Sequence, residues 1–149
     1  MAMKARLNQN GMTLIELLAV IVILGIIASI GVVSISTVIK EQKDRAFVAN
    51  ALALKESVSL YIQQELASGS TLPDKITYKH LYDAMLIEQI KDPDTGKYLE
   101  PSDSSYVTLV GKTPTAVCLK GEKRKLCSKN NVEGPIPISE LSTDLLTDN

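Results

Sequence analysis

Few side chains in this sequence are of the types that do chemistry, and they do not form a catalytic pattern. There is one histidine, His80, and there are two cysteines, Cys118 and Cys127. The sequence has no Ser/His/Asp or Cys/His pattern, no phosphate-binding glycine loop and no group of metal-ligand residues. The cysteine spacing excludes a CxxC motif, and His80 is remote from both cysteines and is expected at the surface. We therefore predict a protein that is not an enzyme and has no cofactor.

The most unusual ionisable residue is Glu16, which lies inside a long apolar segment. Residues 12–39 contain no basic residue and no other acid, and most are Leu, Ile, Val, Ala or Gly. This segment exceeds the roughly 20 residues that cross a bilayer core. A charge near the centre of a span costs about 2.5–3.5 kcal/mol, and less near the end. We therefore expect Glu16 to have a charged partner.

The apolar segment allows three interpretations. A secretory signal peptide has an apolar region of about 7–15 residues followed by a cleavage site, and this segment is about twice as long. A plain single-pass anchor fits the length but leaves Glu16 unexplained. The third interpretation depends on residues 1–11, which carry Lys4 and Arg6 and end in Gly11. Those two basic residues predict a cytoplasmic N-terminus by the positive-inside rule.

The N-terminal sequence resembles the class III signal of type IV pilins and type II secretion pseudopilins in residues 11–16, GMTLIE. The resemblance implies that a prepilin peptidase cuts between Gly11 and Met12 and methylates the new N-terminus. It also implies that Glu16 pairs with the Met12 amine of a neighbouring subunit, which would offset the desolvation of both charges. The simpler alternative is that Glu16 reaches the lipid headgroups. The sequence departs from many members of this family in two ways: Met12 stands where Phe is commoner, and the span contains no Pro.

The same resemblance implies an α+β pilin-like fold, in which a long N-terminal helix packs against a small antiparallel β-sheet head. Beyond the span, apolar residues continue at helical spacing up to Ile62, and no Pro or Gly occurs between Val32 and Ala67. We predict one helix from Met12 to about Ala67, roughly 80 Å long at 1.5 Å per residue. The expected divisions are a leader (1–11), a membrane-spanning polymerisation segment (12–39) and an extracytoplasmic head (40–149).

The head sequence predicts a short helix followed by strands. The helix is expected from Tyr78 to Ile90, followed by a turn at residues 91–97. Strands are expected at residues 106–110 and 116–120, with a turn at Gly111 between them. Residues 134–138, GPIPI, should be extended. Residues 139–149 read as an acidic tail with no clear structure, although its leucines could dock as one helical turn; these are Leu141, Leu145 and Leu146.

The cysteines and three aspartates of the head each have a functional interpretation. Cys118 and Cys127 would lie outside the membrane, where disulfides persist, and many pilins carry a disulfide near the C-terminus. A disulfide here would close about ten residues and stabilise the head by roughly 2.5–3 kcal/mol. Asp92, Asp94 and Asp103 suggest a calcium site, since some secretion pseudopilins bind calcium in this region. Ordinary turn aspartates are the favoured interpretation.

A basic loop follows the first cysteine, with members Lys120, Lys123, Arg124, Lys125 and, just beyond, Lys129. Such charge could contact DNA or another surface, because phosphates bind lysine and arginine. The favoured interpretation is a solvated hairpin turn whose positive charge is partly offset by Glu122, because no aromatic residues are interleaved with the charges.

Together these features predict a structural subunit of a type IV pilus-like filament, built by contacts that do not close into a ring. The resemblance implies four kinds of partner: a prepilin peptidase, identical or related pilin subunits, an assembly ATPase and a platform protein. It places the chain in the cytoplasmic membrane before assembly, and in an extracellular or periplasmic filament afterwards. The alternative is a minor pilin, or a competence or type II secretion pseudopilin, whose basic loop binds DNA or a surface.

Overall fold

A computed structural model describes residue 11 and residues 13–149. The chain divides into two compact units, Met1–Ile39 and Lys40–Asn149. One helix, α1 (Leu14–Ser68, 55 residues), begins in the first unit and ends in the second. This confirms the predicted single helix. Gly69 ends it with a φ of 76°, a left-handed conformation that favours glycine, and Ser70 N–H donates to the Glu65 carbonyl at 3.0 Å.

The described part of the first unit leaves its large apolar side chains exposed. The large apolar side chains described between Leu14 and Ile39 are 48% to 85% exposed. By length and composition α1 could cross a membrane. So large an exposed apolar surface needs a bilayer or other apolar helices around it.

The second unit is an antiparallel sheet packed on the last part of α1. The main sheet contains β1 (Lys75–Thr77), β2 (Tyr106–Val110), β3 (Thr113–Lys120), β4 (Arg124–Leu126), β7 (Ile136–Pro137) and β8 (Thr147–Asp148). Its strand order is β1-β2-β3-β4-β8, and β7 also pairs with β3. A separate hairpin joins β5 (Ser128–Lys129) to β6 (Val132–Glu133). The α+β pilin-like fold is therefore confirmed.

The core lies between one stripe of α1 and one face of this sheet. From α1 it contains Phe47, Ala51, Leu54, Val58 and Ile62; from the strands it contains Ile76, Val107, Leu109, Val117, Leu119, Leu126 and Ile136. The helical members recur every three or four residues, which places them on one face of the helix. The alternate members of β2 are buried in the same way, as the pleat of a strand requires.

Both strands predicted for the head are present. The first coincides with β2, and the second forms the last part of β3, which begins earlier, at Thr113. Gly111 lies in the two-residue loop between them with a φ of 64°, as the first position of a type II′ turn requires. The segment 134–138 also supplies a strand, β7, as expected from its extended character.

The expectation of an unstructured tail is wrong. Two 3₁₀ turns, Ile138–Glu140 and Thr143–Leu145, lead into β8, which pairs with β4. The three tail leucines do pack against the core, but from these short turns and not from one helical turn. Burial of a few leucines together with pairing at the β4 edge orders a segment too short to show a helix or strand period in its sequence.

The predicted helix from Tyr78 to Ile90 is also wrong in its extent. The observed helix, α2, is Tyr78–Asp83. Leu86 N–H donates to the Leu81 carbonyl at 3.0 Å, and Met85 has a φ of 57°, which together form a Schellman helix end. The chain then returns to the core, where Ile90 N–H donates to the Tyr78 hydroxyl at 2.8 Å.

Met85→Gly is expected to stabilise the head by about 0.5–1 kcal/mol. A side chain in the left-handed region costs roughly 1–2 kcal/mol, which glycine avoids, although glycine gives back part of this through a more flexible unfolded chain. Little packing is lost, because Met85 is 92% exposed. Thermal unfolding of the full chain in detergent micelles measures the change. Met85→Ala is the control, and an equal gain from alanine would contradict the backbone explanation.

Candidate functional site

Glu16 closes the N-terminus of α1 through two reciprocal hydrogen bonds. Thr13 N–H donates to Glu16 Oε2 at 2.9 Å, and Glu16 N–H donates to Thr13 Oγ1 at 3.3 Å. This arrangement is a capping box, and the carboxylate also lies where the helix dipole favours negative charge. The expectations drawn from the sequence do not include it, although T-x-x-E at residues 13–16 is its signature.

The sequence predicts two other site residues at the N-terminus, Gly11 and Met12. Gly11 is exposed and outside α1. Met12 lies outside the described residues, so cleavage and methylation at Met12, and its pairing with Glu16, stay predictions. The Glu16 side chain is exposed and thus open to a further partner.

Hydroxyl groups in the apolar segment bond to their own helix. Ser29 Oγ donates to the Ile26 carbonyl at 2.7 Å, and Ser36 Oγ donates to the Val32 carbonyl at 3.1 Å. Back-bonding of this kind satisfies a hydroxyl where no water is available. These two serines therefore add little cost to burial in a bilayer or among other helices.

Cys118 and Cys127 form a disulfide, as predicted. Their Cα atoms are 4.4 Å apart, and both residues are buried. Cys118 lies in β3, and Cys127 directly follows β4. The bond therefore closes the loop that carries the basic residues.

Arg124 in that loop binds two carboxylates. Its Nε and Nη2 donate to the two oxygens of Asp94 at 2.8 and 2.7 Å, and its Nη1 donates to Asp44 Oδ1 at 2.7 Å. The three side chains are only 13% to 19% exposed. The hydrogen bonds from Arg124, and then its charge, lower the pKa of Asp94. Because Asp44 belongs to α1, Arg124 joins the loop to the helix.

Asp92 and Gly121 complete this junction. Asp92 is fully buried and accepts from the N–H groups of Asp94 at 2.7 Å and Glu122 at 2.8 Å. A Cβ atom at Gly121 would lie 2.9 Å from both the Arg124 carbonyl and a ring carbon of Phe47. Only glycine fits there without a shift of its neighbours.

The three aspartates considered as calcium ligands are engaged by protein donors. Asp92 and Asp94 bind the groups just described, and Asp103 accepts from the Thr77 hydroxyl at 2.8 Å. Within the described part of the chain, no group of three or more His, Cys, Asp or Glu side chains is arranged to hold a metal ion. These contacts favour the interpretation as turn aspartates.

The remaining cations of the basic loop are mostly paired as well. Lys120 contacts Glu133, Lys125 lies 3.9 Å from the same carboxylate, and Lys129 contacts Glu140. Among residues 13–149, Lys123 is the only one of the five without an ion pair. No sequence pattern indicates the role of Arg124, because its partners Asp44 and Asp94 are remote in the sequence. His80 is exposed, as expected, with its ring against Tyr61.

Comparison with known proteins identifies the N-terminus. Residues 6–32 match the model of the prokaryotic N-terminal methylation motif. This match contains Gly11, Met12 and Glu16, and it ends within the apolar part of α1. No curated protein and no solved structure matches the chain.

Proposed function

We propose that this chain, which carries the N-terminal signal of type IV pilins and pseudopilins, is a structural subunit of a type IV pilus-like filament. The observation that carries the proposal is the methylation motif at the start of a helix whose apolar surface is uncovered from Leu14 to Ile39. A bilayer covers such a surface before assembly, and helices of neighbouring subunits cover it afterwards.

Processing follows from the same motif. A prepilin peptidase cuts between Gly11 and Met12 on the cytoplasmic side and methylates the Met12 amine. The mature chain then remains in the cytoplasmic membrane as a single-pass protein until an assembly ATPase and a platform protein move it into an extracellular or periplasmic filament. Proteins that carry this motif are structural, and no enzymatic role is proposed.

In this proposal Glu16 fixes the position of one subunit relative to the next. A carboxylate has about four acceptor positions, and the capping box uses one of them on Oε2. The Met12 amine of a neighbouring subunit can therefore bind Glu16 while the box stays closed. The paired charges offset each other's desolvation where the dielectric is low.

The alternative is a binding module: a minor pilin, or a competence or secretion pseudopilin that contacts DNA or a surface. It has less support, because four of the five loop cations are engaged in ion pairs within the head. A nucleic-acid partner would have to bind mainly through Lys123 or displace these pairs.

Sheared surface filaments test the proposal directly. We expect this chain to be a main component, starting at Met12 with one added methyl group, by intact-mass spectrometry. Gly11→Val should leave the uncut chain in the membrane, whereas Asn10→Val beside it should be processed. Purified filaments of this organism that lack the chain would contradict a shaft role, and a mature N-terminus elsewhere would contradict the processing site.

A further inference from the structure

An open groove of about 650 Å³ follows α2 on the head. It is formed by the segment that turns back after the Schellman motif, and its apolar members include Tyr82 and Met85, 39% and 92% exposed. Asp83 and Glu88 also line it, and no basic residue occurs in residues 82–90. The groove therefore suits an occupant that combines an apolar side chain with a positive charge.

The loop between β2 and β3 has that chemistry. Val110 is 70% exposed, and Lys112 lies two residues further along, exposed and without an ion pair to any residue in the described range. Outside the helices and the groove, the two other large apolar residues that are exposed in the head match less well. Val132 is followed by the acidic Glu133, and Tyr98 forms a bridge with Lys91, directly beyond the groove segment itself.

The helix that leads into the groove and the β2–β3 loop leave the β1–β2 pair at opposite ends. In the β1–β2 pairing Lys75 is opposite Thr108 and Thr77 is opposite Tyr106, so α2 and the groove follow the end of β1 beside Tyr106. Val110 is at the other end of β2. Two different patches that complement each other make a heterologous contact, which extends a fibre when the rotation between subunits does not close a ring.

We infer that the β2–β3 loop of one subunit, with Val110 and Lys112, docks in the groove of a neighbouring copy, against Met85 and between Asp83 and Glu88. The inference rests on the proposed filament function and adds a contact between heads to the contact between helices. Its small area suffices, because the apolar helices supply most of the association. Opposite charges at the rim fix the partner and the orientation.

Cross-linking within intact filaments tests the contact. The variant Met85→Cys/Val110→Cys is treated with a short bis-maleimide, which leaves the native disulfide intact. We expect a ladder of covalent multimers, because each subunit supplies one loop and one groove. Met85→Cys/Val132→Cys is the matched control, since Val132 is 69% exposed, and it should give no ladder, like each single variant.

Charge reversal supplies an independent measurement. Lys112→Glu should reduce filament yield severalfold, and Lys112→Glu/Asp83→Lys/Glu88→Lys should restore it. Filaments that form normally and give no ladder, or the same ladder from the Val132 control, would overturn the docking while leaving the filament function intact. Absence of the unmodified chain from filaments would instead overturn the proposed function.

Discussion

Glu16→Gln is expected to be processed normally and to enter filaments at least about tenfold less than the unmodified chain. Glutamine at this position still completes a capping box, so the start of α1 is retained. What it lacks is the negative charge, which in the proposed assembly pairs with the Met12 amine of a neighbouring subunit. An uncompensated amine in an apolar environment costs several kcal/mol. Immunoblots for leader removal and quantification of sheared filaments measure the two steps separately.

Thr13→Ala is the matched control. It removes the hydroxyl that accepts from Glu16 N–H and costs about 1 kcal/mol of helix capping, but it keeps the charge. Filaments should therefore persist. Glu16→Ala removes both functions and should be cleaved yet absent from filaments. Normal filament assembly by Glu16→Gln would contradict charge pairing as the role of Glu16. Loss of filaments in Thr13→Ala but not in Glu16→Gln would likewise assign the role to helix capping.

Arg124→Ala is expected to lower the free energy of unfolding of the head by roughly 2–3 kcal/mol. The change leaves Asp44 and Asp94 without their cation at sites that are mostly shielded from water. Lys123→Ala is the control, because it removes a neighbouring positive charge that is exposed, and should change stability by less than about 0.5 kcal/mol. Thermal unfolding at neutral pH measures both, with an expected shift of roughly 10 °C for Arg124→Ala.

The same variant has a defined pH dependence. Because Arg124 lowers the pKa of Asp94, this carboxylate stabilises the folded head at pH values above its unfolded pKa of about 4. The contribution is lost as the pH falls through the lower, folded pKa. The difference between the unmodified chain and Arg124→Ala should therefore shrink in acid. A difference that stays constant down to pH 2 would assign the effect to packing and not to charge.

The long helix and the two central strands could be predicted because their signals are local. The stripe from Phe47 to Ile62 has a helical period, and β2 alternates in exposure. The end of α2 could not be predicted, because Met85 is a good helix former. The turn there is imposed only by the chain returning to the core, where Ile90 N–H donates to the Tyr78 hydroxyl. The strands β1, β4 and β8 have two or three residues each, too few to show any period.

The candidate site divides in the same way. Gly11, Met12 and Glu16 lie in one short stretch that the sequence motif predicts, and their roles stay predictions. The T-x-x-E signature of the capping box lies in the same stretch and gives the Thr13 hydroxyl a local signal as well. The contacts of Arg124 span 80 residues to Asp44 and 30 to Asp94. Residues so far apart in the sequence are brought together only by the folded chain, so no local pattern predicts their contacts. The sequence of the basic loop therefore suggests exposed charge, whereas in the structure its central arginine is bound to two carboxylates.

If the chain assembles as proposed, the attachment of Arg124 to α1 has a mechanical consequence. In a fibre under tension, load enters each head along α1, and Asp44 is only five residues beyond Ile39. The Arg124 pairs therefore link the basic loop to a part of α1 that lies close to the apolar segment. Behind them the Cys118–Cys127 bond prevents the loaded loop from extending. Tension should be shared between an ionic contact that can re-form and a covalent bond that does not yield.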